Sequence, residues 1–524
     1  MHNSNVSGRN TPANFDNEPW VLKPWRKFEK VVFRLQKRIY TARKQGNLKK
    51  VNWLQRKLLK SRAAMFLAVR KVTQLNSGKR TAGVDGKTAL TDVERIALVR
   101  QLEREAGEWS PMPARRVLIP KSDGTQRRLG IPTIADRAWQ ALATLALDPC
   151  AEAIFHANSY GFRPGRSCWD AHKIIWLRTS NWCFASKRFS GYVYELDIEK
   201  CFGRIDHMDL IKRVELPKRY CHILLRMLKA GVIVNFKSYE DTPQGTPQGG
   251  VISPLLANIA LNGIEELGSC VRYADDMVYI IRKGEDVERL KAEIDNFLAI
   301  RGLNIKASKT RLVDMKGGFD FLGLNFFQRP NGISASKPKK DWLEKTKEEI
   351  RDLIKSSGLP KNVLAQKVFR ILDGKRRFYQ YSDLNKVKGE WWKLNQYVYR
   401  KLGIGIPELR YKVNRHINVK GEYSPYDGDW IYWALRNNRR YEGDIRSKTL
   451  KRQNGKCGMC GLSMMEGMEI HLHHKDHNHS NNSLENLLMV HRACHMAHHR
   501  TIAKRLNKTT CDHKPDAVKA ARPV

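Results

Sequence analysis

The run VRYADDMVYI, residues 271–280, alternates strand-forming apolar side chains and is broken by two adjacent carboxylates, Asp275 and Asp276. It reads as a β-hairpin with the two acids at its turn. Asp-Asp turns are common by themselves. Here, however, uncompensated charges inside an otherwise buried hairpin would repel each other and lose hydration. A cation must meet them, and a third carboxylate would complete its site. YELDIEKCF (194–202) offers one, because Asp197 ends a strand-like run of Val193, Tyr194 and Leu196. Three such acids on neighbouring strands could hold two Mg²⁺ ions, activate a 3′-hydroxyl and stabilise a leaving pyrophosphate.

Working outward, RRVLIPKSDGTQRRLGIPT (115–133) reads as strand, turn and strand, and 135–155 as an apolar helix. A Gly/Pro loop at 245–250 precedes a helix over 253–261, and 286–298 is a further helix. From Trp25 to about Lys71 the pattern is helical, with Phe28, Val32, Leu35 and Ile39 on one face and Lys and Arg on the other. The segment 337–403 is helical, charged and aromatic, with a stripe of Leu343, Ile350, Leu353 and Ile354.

The chain is too long for one core at 524 residues, and its formal net charge is +42, from 95 Lys+Arg against 53 Asp+Glu. Charge of that size, spread along the chain, points to a polyanionic partner: basic side chains that neutralise phosphates release condensed counterions. No apolar run reaches the roughly 20 residues of a membrane helix. Residues 1–24 read as a disordered polar start without the apolar core of a signal peptide. Six cysteines between Cys150 and Cys270 are scattered singly, as buried thiols in a reducing compartment would be.

Near the C-terminus the cysteines become regular. Cys457-x-x-Cys460 and His491-x-x-Cys494 are two knuckles with the spacing of a tetrahedral Zn²⁺ site. More than half of the 16 histidines crowd into HLHHKDHNHSNNSLENLLMVHRACHMAHH (471–499). His495 and His499 are four residues apart, which on a helix puts both imidazoles on one face.

The boxes taken together resemble those of reverse transcriptases. VRYADDMVYI is similar to the YADD box, ELDIEKCF to the first catalytic box, and GTPQGGVISPLLANIAL (245–261) to the box before YADD in group II intron-encoded reverse transcriptases. RRVLIPKSDGTQRRLGIPT, NSYGFRPGRS (158–167), GLNIKASKT (302–310) and GFDFLGLNF (318–326) resemble the remaining boxes in order, and the N-terminal helices with GKRTAGVDG (78–86) resemble the family's N-terminal extension. The resemblance implies an RNA-directed DNA polymerase with Asp197, Asp275 and Asp276 as its metal-binding catalytic carboxylates. Lys121 and Arg127 would clamp the incoming dNTP, with Arg115 as a further candidate. Gln248 would position the nucleotide, Phe202 would exclude a 2′-hydroxyl, and Lys309 would support the palm. CFGRIDH (201–207) departs from the family in its Gly-Arg pair, and the segment from Leu261 to Val271 is short.

The C-terminal stretch resembles HNH endonucleases. That resemblance implies a divalent metal held by His473, His495 and His499, His474 as general base, and Asn486 orienting the loop that carries it. Since neighbours in a strand face opposite ways, His473 and His474 are expected at an irregular strand end.

The expected fold is multidomain α+β: a right-hand polymerase, with fingers, an antiparallel palm sheet and a helical thumb, plus a small zinc-stapled ββα-metal HNH domain. The expected divisions are an N-terminal helical extension at 25–96, fingers and palm at 97–335, a thumb or maturase domain at 336–403, a linker or DNA-binding region at 404–444, the nuclease at 445–505 and a basic tail at 506–524. LDGKRRFYQYSD (372–383) matches the maturase motif only in Gly374 and the Phe378-Tyr379 pair. The combination resembles a group II intron-encoded protein. It implies an intron RNA and a target DNA as partners, no membrane, and a bacterial cytoplasm or an algal or plant organelle as its setting. Two alternatives compete: a non-catalytic splicing cofactor, opposed by the intact acids, and a reverse transcriptase recruited to host defence, opposed by the complete nuclease ligand set.

Overall fold

The computed structural model describes residues 19–120, 124, 126–180, 190–356, 358–382, 387–403, 416–429, 432, 433, 436, 445–461, 464, 470–478, 480–492, 494–496, 498 and 499. Lys121, the tail at 506–524 and most of the polar start lie outside these residues.

Three amphipathic helices open the fold: α1 (Trp25–Lys44), α2 (Leu48–Leu59) and α3 (Arg62–Arg70). In α1 the buried side chains are Phe28, Val32, Gln36, Ile39, Tyr40 and Ala42, one stripe at helical spacing with cations between them. Helix α4 (Asp92–Glu105) follows, its N-terminus closed by a reciprocal Thr91/Glu94 capping box. A hairpin, β1 (Ala114–Pro120) and β2 (Gln126–Ile131), leads into the almost wholly buried α5 (Ile134–Glu152). Helices α1, α2, α3 and α4 all pack on α5.

Two expected divisions change here. Residues 25–96 are not a separate unit. One hydrophobic core runs from Trp20 through α1 to α5 and on to one face of the central sheet, and α4 crosses the expected boundary. Residues 19–24 are ordered, contrary to a polar start extending to residue 24. Trp20 is fully buried, its ring 5.0 Å from that of Trp25. Its backbone N–H donates to Asp92 and its indole N–H to Gln74. A single Trp anchor is invisible in averaged composition, yet it buries enough apolar surface to fix its neighbours.

After α6 (Cys168–Thr179) comes the central strand β3 (Gly191–Asp197). Short helices α7 (Cys201–Arg204) and α8 (His207–Arg213), α9 (Lys218–Leu228), strands β4 (Val232–Val234) and β5 (Ser238–Glu240), and α10 (Ser253–Leu261) lead to the hairpin β6 (Cys270–Tyr273) and β7 (Asp276–Arg282). Helix α11 (Val287–Ala299) and strand β8 (Arg311–Asp314) complete an antiparallel sheet ordered β6-β7-β3-β8. Alternation divides β7 between two cores. Met277, Tyr279 and Ile281 face the first, and Val278 joins Val193 and Val271 in a second. A sheet buried on both faces has a fixed register, because a one-residue slip would exchange the two sets.

The second core also holds a three-stranded sheet, β11-β10-β9, from β9 (Phe319–Phe321), β10 (Leu324–Gln328) and β11 (Ser334–Pro338). Helices α12 (Trp342–Ser356), α13 (Lys361–Tyr379) and α14 (Lys388–Leu402) pack on it, with Trp342 stacked 5.8 Å from Trp391. The helical segment thus starts at Trp342, because Lys337 and Pro338 belong to β11.

Within 404–444, the described residues form an irregular strap on the body of the protein. Asp170, fully buried on α6, accepts hydrogen bonds from His416 Nε2, Val419 N–H and both ways from Arg436 Nη2 (2.6 and 2.8 Å). Tyr426 O–H donates to Asp148 at 2.6 Å, and Lys44 pairs with Glu422. Beyond the strap lies a small unit: α15 (Ile445–Arg452), the antiparallel pair β12 (Ile470–His474) and β13 (Leu487–His491), and helical turns over 492–499.

Candidate active sites

In the sheet register, Asp197, the last residue of β3, pairs with Asp276, the first of β7. Asp276 also pairs with Tyr273 across the hairpin, so Ala274 and Asp275 form the turn. The three acids therefore gather where the sheet opens. Asp275 is half-buried and Asp276 exposed to the cleft. Burial, then Asp197, raises the pKa of Asp275; Arg127 pulls it back. Asp276 is pushed up to about 6 by desolvation and by the charges of Asp275 and Asp197, against Lys339 and Lys309. Mutual repulsion of this kind is what bound divalent cations relieve, so the acids fit a metal pair.

The GLNIKASKT loop wraps Asp197. Lys306 N–H donates to its carbonyl at 2.8 Å, Thr310 Oγ1 accepts its N–H at 3.4 Å, and Lys309 Nζ lies 3.1 Å from its carboxylate. Lys309 thus has a specific partner among the acids. Lys339, which sequence reasoning missed, acts on Asp276 from the start of the thumb.

The Gly/Pro loop forms an adjoining wall. Thr246 N–H donates to Phe202 O at 2.6 Å, and Gly130 N–H of β2 donates to Gln248 O at 3.0 Å. Gly249 has φ +134°, and a Cβ there would sit 2.7 Å from Gly130 O, so only glycine serves. One loop therefore ties the hairpin carrying Arg127 to the helix carrying Phe202, with half-buried Gln248 between. Phe202 packs at the edge of the first core. Arg127 is exposed on β2 and close enough to Asp275 to act on its charge. Arg115 lies at the root of the hairpin with its guanidinium over Phe236, and its described contacts do not lead to the acids. A concavity of about 630 Å³ between α2, α4 and α9 is lined by none of these residues.

Basic side chains cover the outer face of α1: Arg26, Lys27, Lys30, Arg34, Lys37 and Arg38 are exposed. Beside them, half-exposed Trp53 is flanked by Lys57 at 4.1 Å and Arg38 at 5.8 Å. Cations around an open aromatic face can bind phosphates and stack a base.

The small unit brings its expected ligands together in two groups. The ligand atoms of Cys457, Cys460, His491 and Cys494 lie within 4.8 Å of one another, as do those of His473, His495 and His499. In the first group His491 Nδ1 is 3.3 Å from Cys460 Sγ and 3.9 Å from Cys494 Sγ. Hydrogen bonding from the other thiols lowers the pKa of Cys457, and the resulting charge raises that of Cys494. Several thiolates coexist there only around a cation, and three sulfurs with one imidazole suit zinc. In the second group burial, then neighbouring imidazoles, lowers His473 to about 4, so its lone pair is free for a metal near neutrality.

His474 is the last residue of β12, at the strand end the sequence requires. Its Nε2 lies 3.3 Å from Asn482 Oδ1. Asn486 holds the following loop: its Oδ1 accepts from Asp476 N–H at 3.1 Å, and its Nδ2 donates to Asp476 and to Asn481 O. His471, which sequence reasoning passed over, sits with Nδ1 3.3 Å from His495 Nδ1. Its alternation with His473 along β12 was the available signal.

Residues 119–326 match the family described as reverse transcriptase (RNA-dependent DNA polymerase), and residues 20–102 match the N-terminal domain of reverse transcriptase. Maturase-like protein 1 of Euglena gracilis is 31% identical over 366 residues, spanning 69% of this chain and 78% of that protein. Protein YkfC of Escherichia coli is 32% identical over 300 residues, 48% of this chain and 77% of that protein. Group II intron-encoded protein LtrA of Lactococcus lactis subsp. cremoris is 36% identical over 198 residues, 36% of this chain and 31% of that protein. Among the described residues no helix is long and apolar enough to cross a membrane.

Proposed function

Because the chain belongs to the reverse transcriptases and maturases of group II intron type, we propose that it copies an intron RNA into DNA from a primer made by its own C-terminal nuclease. The observation that carries the polymerase reading is the register that sets Asp197 opposite Asp276. Reverse transcriptases bind RNA, use dNTPs and work with divalent metal, typically Mg²⁺. Asp197, Asp275 and Asp276 would hold two such ions, which would supply Lewis-acid activation of the primer hydroxyl and charge neutralisation at the leaving pyrophosphate.

The chain's own residues do the rest. Arg127, with Lys121 on the same hairpin, grips the triphosphate as a cationic clamp. Gln248 fixes the nucleotide between that hairpin and the palm. Phe202 fills the space a 2′-hydroxyl would need, which selects deoxynucleotides by sterics. Lys309 neutralises part of the charge on Asp197 and holds its carboxylate in place. The basic face of α1 and the thumb helices bind the intron RNA and assist its splicing.

The C-terminal unit nicks the target DNA strand opposite the one that receives the intron. Zn²⁺ on Cys457, Cys460, His491 and Cys494 would hold this small fold together. A divalent ion on His473, His495 and His499 would supply charge stabilisation for the cleaved phosphate. His474 takes the proton from the attacking water, and Asn486 keeps the loop after His474 in register. The new 3′ end then primes DNA synthesis at the palm, as retrohoming requires.

The test is a reconstituted reaction with intron RNA and a duplex target. Nicking followed by RNA-templated extension from the nick is expected. Extension of an annealed primer without any nick would leave the chain a polymerase and maturase alone.

A further inference from the structure

Beneath the turn that carries Asp275 lies a fully buried guanidinium. Arg272 and Glu265 both have side chains with no solvent exposure, and Arg272 Nε donates to Glu265 Oε1 at 2.6 Å. Nη1 donates to Asn258 Oδ1 at 2.9 Å and to the Ala274 carbonyl at 3.1 Å, and Nη2 donates to Ser159 Oγ at 2.8 Å. Each partner comes from a different element: α10, the turn itself, and the 158–167 segment. That segment is bound to β6 as well, through Arg272 N–H to Asn158 O at 3.0 Å and Tyr160 N–H to Arg272 O at 2.9 Å.

The turn needs holding. Ala274 has φ +61°, a left-handed conformation unfavourable for a residue with a Cβ. Gly161 lies directly against it, since a Cβ there would stand 2.4 Å from Ala274 N. Asn258 Nδ2 donates to Gly161 O at 2.8 Å, which closes the ring of contacts. Stability alone does not call for a buried ion pair, because apolar replacements of such pairs are often neutral or stabilising. What this array supplies is a fixed direction for the Ala274 carbonyl, one residue before Asp275.

We propose that Arg272 is a positioning residue for DNA synthesis: held by Glu265, Asn258 and Ser159, it locks Ala274 in its left-handed conformation and so sets where Asp275 and Asp276 stand relative to Asp197. The inference rests on the reading of these acids as the polymerase centre. Arg272 touches neither nucleotide nor primer. It acts through the backbone of the turn.

The experiment is primer extension on an RNA template by the full-length protein, with Mg²⁺ and dNTP concentrations varied separately. Arg272→Lys keeps the charge beside Glu265 but not the forked donors. It is expected to raise the half-maximal Mg²⁺ concentration about tenfold and to lower kcat about 100-fold, with the KM for dNTP within about twofold of wild type. The double variant Arg272→Met with Glu265→Met removes the pair without leaving an orphan charge. It should melt at or above the wild-type temperature and still show the kcat and Mg²⁺ defects, which a merely structural role would not produce. Ser159→Ala, the mildest change, should shift the Mg²⁺ requirement about two- to threefold. Wild-type kcat and Mg²⁺ dependence in the double variant, or in Ser159→Ala should the others fail to fold, would overturn the proposal. Asp275→Asn separates it from its premise. If that variant still synthesises DNA, the polymerase reading itself fails; if it is inactive while the Arg272 variants are normal, only the positioning role fails.

Discussion

Asp197 and Asp276 face each other as a cross-strand pair at the end of the β3–β7 ladder, where the central sheet opens into the cleft. Their separation is set by the ladder, not by flexible side chains, and both faces of that ladder are packed. The acids therefore remain adjacent although their charges oppose it.

Replacing Asp275 and Asp276 together by alanine is expected to reduce DNA synthesis by about 10³-fold or more, while RNA-assisted splicing stays close to wild type. The measurements are primer extension and in vitro splicing on the same preparation. Parallel loss of both would count against separate sites.

Phe202→Val should open the wall beside the Gly/Pro loop. Ribonucleotide incorporation should rise by roughly one to two orders of magnitude relative to dNTPs. Competition between the two nucleotide classes in single-turnover extension measures this, and unchanged discrimination would return Phe202 to plain core packing.

His474→Ala should remove nicking of the duplex target and leave extension of a pre-annealed primer intact. A nick formed at the normal rate would reject His474 as the general base.

Cys460→Ser should lower the zinc content of the purified chain and loosen the small unit. Elemental analysis would report the metal, and proteolysis within 445–499 should become faster. Loss of a structural zinc site removes folding free energy outright. Primer extension should not change, because the polymerase cores do not include these residues. A metal-free wild-type chain with the same proteolytic resistance would refute the zinc assignment.

His172, buried on α6 beside Phe326, provides a pH test away from any metal ligand. Burial lowers its pKa from 6.5 to about 3. Below pH 6.5 the unfolded chain takes up a proton that the folded chain refuses, so this contribution to stability is lost as pH falls from 6.5 towards 3. At pH 5 the penalty has an upper bound of roughly 2 kcal/mol. His172→Phe should flatten the pH dependence of the urea midpoint between pH 7 and 5. Parallel curves for the two proteins would contradict the account.

The palm was legible because its chemistry breaks its own pattern. Two charges in an apolar hairpin demand an explanation, and the answer lay in another strand of the same kind. The paired knuckles were legible for the same reason, since metal geometry fixes ligand spacing. Arg272 escaped notice although it is also a charge in a buried strand; its partners come from three distant segments, and no local pattern announces them. Strands β9 and β11 were missed because runs of three to five residues carry too little alternation to stand out. The contacts of the strap are between residues far apart in the chain, as in Asp170 with Arg436, so composition alone left it resembling a linker.

Any attempt to trim this molecule into a compact copying reagent must reckon with that strap. A chain ended at Gly403, the natural stop after the thumb, would leave the Asp170 carboxylate unneutralised and uncover the groove where Trp433 lies against Gly165. The shortest durable polymerase should instead end beyond Arg436, even though nothing after the thumb takes part in nucleotide addition.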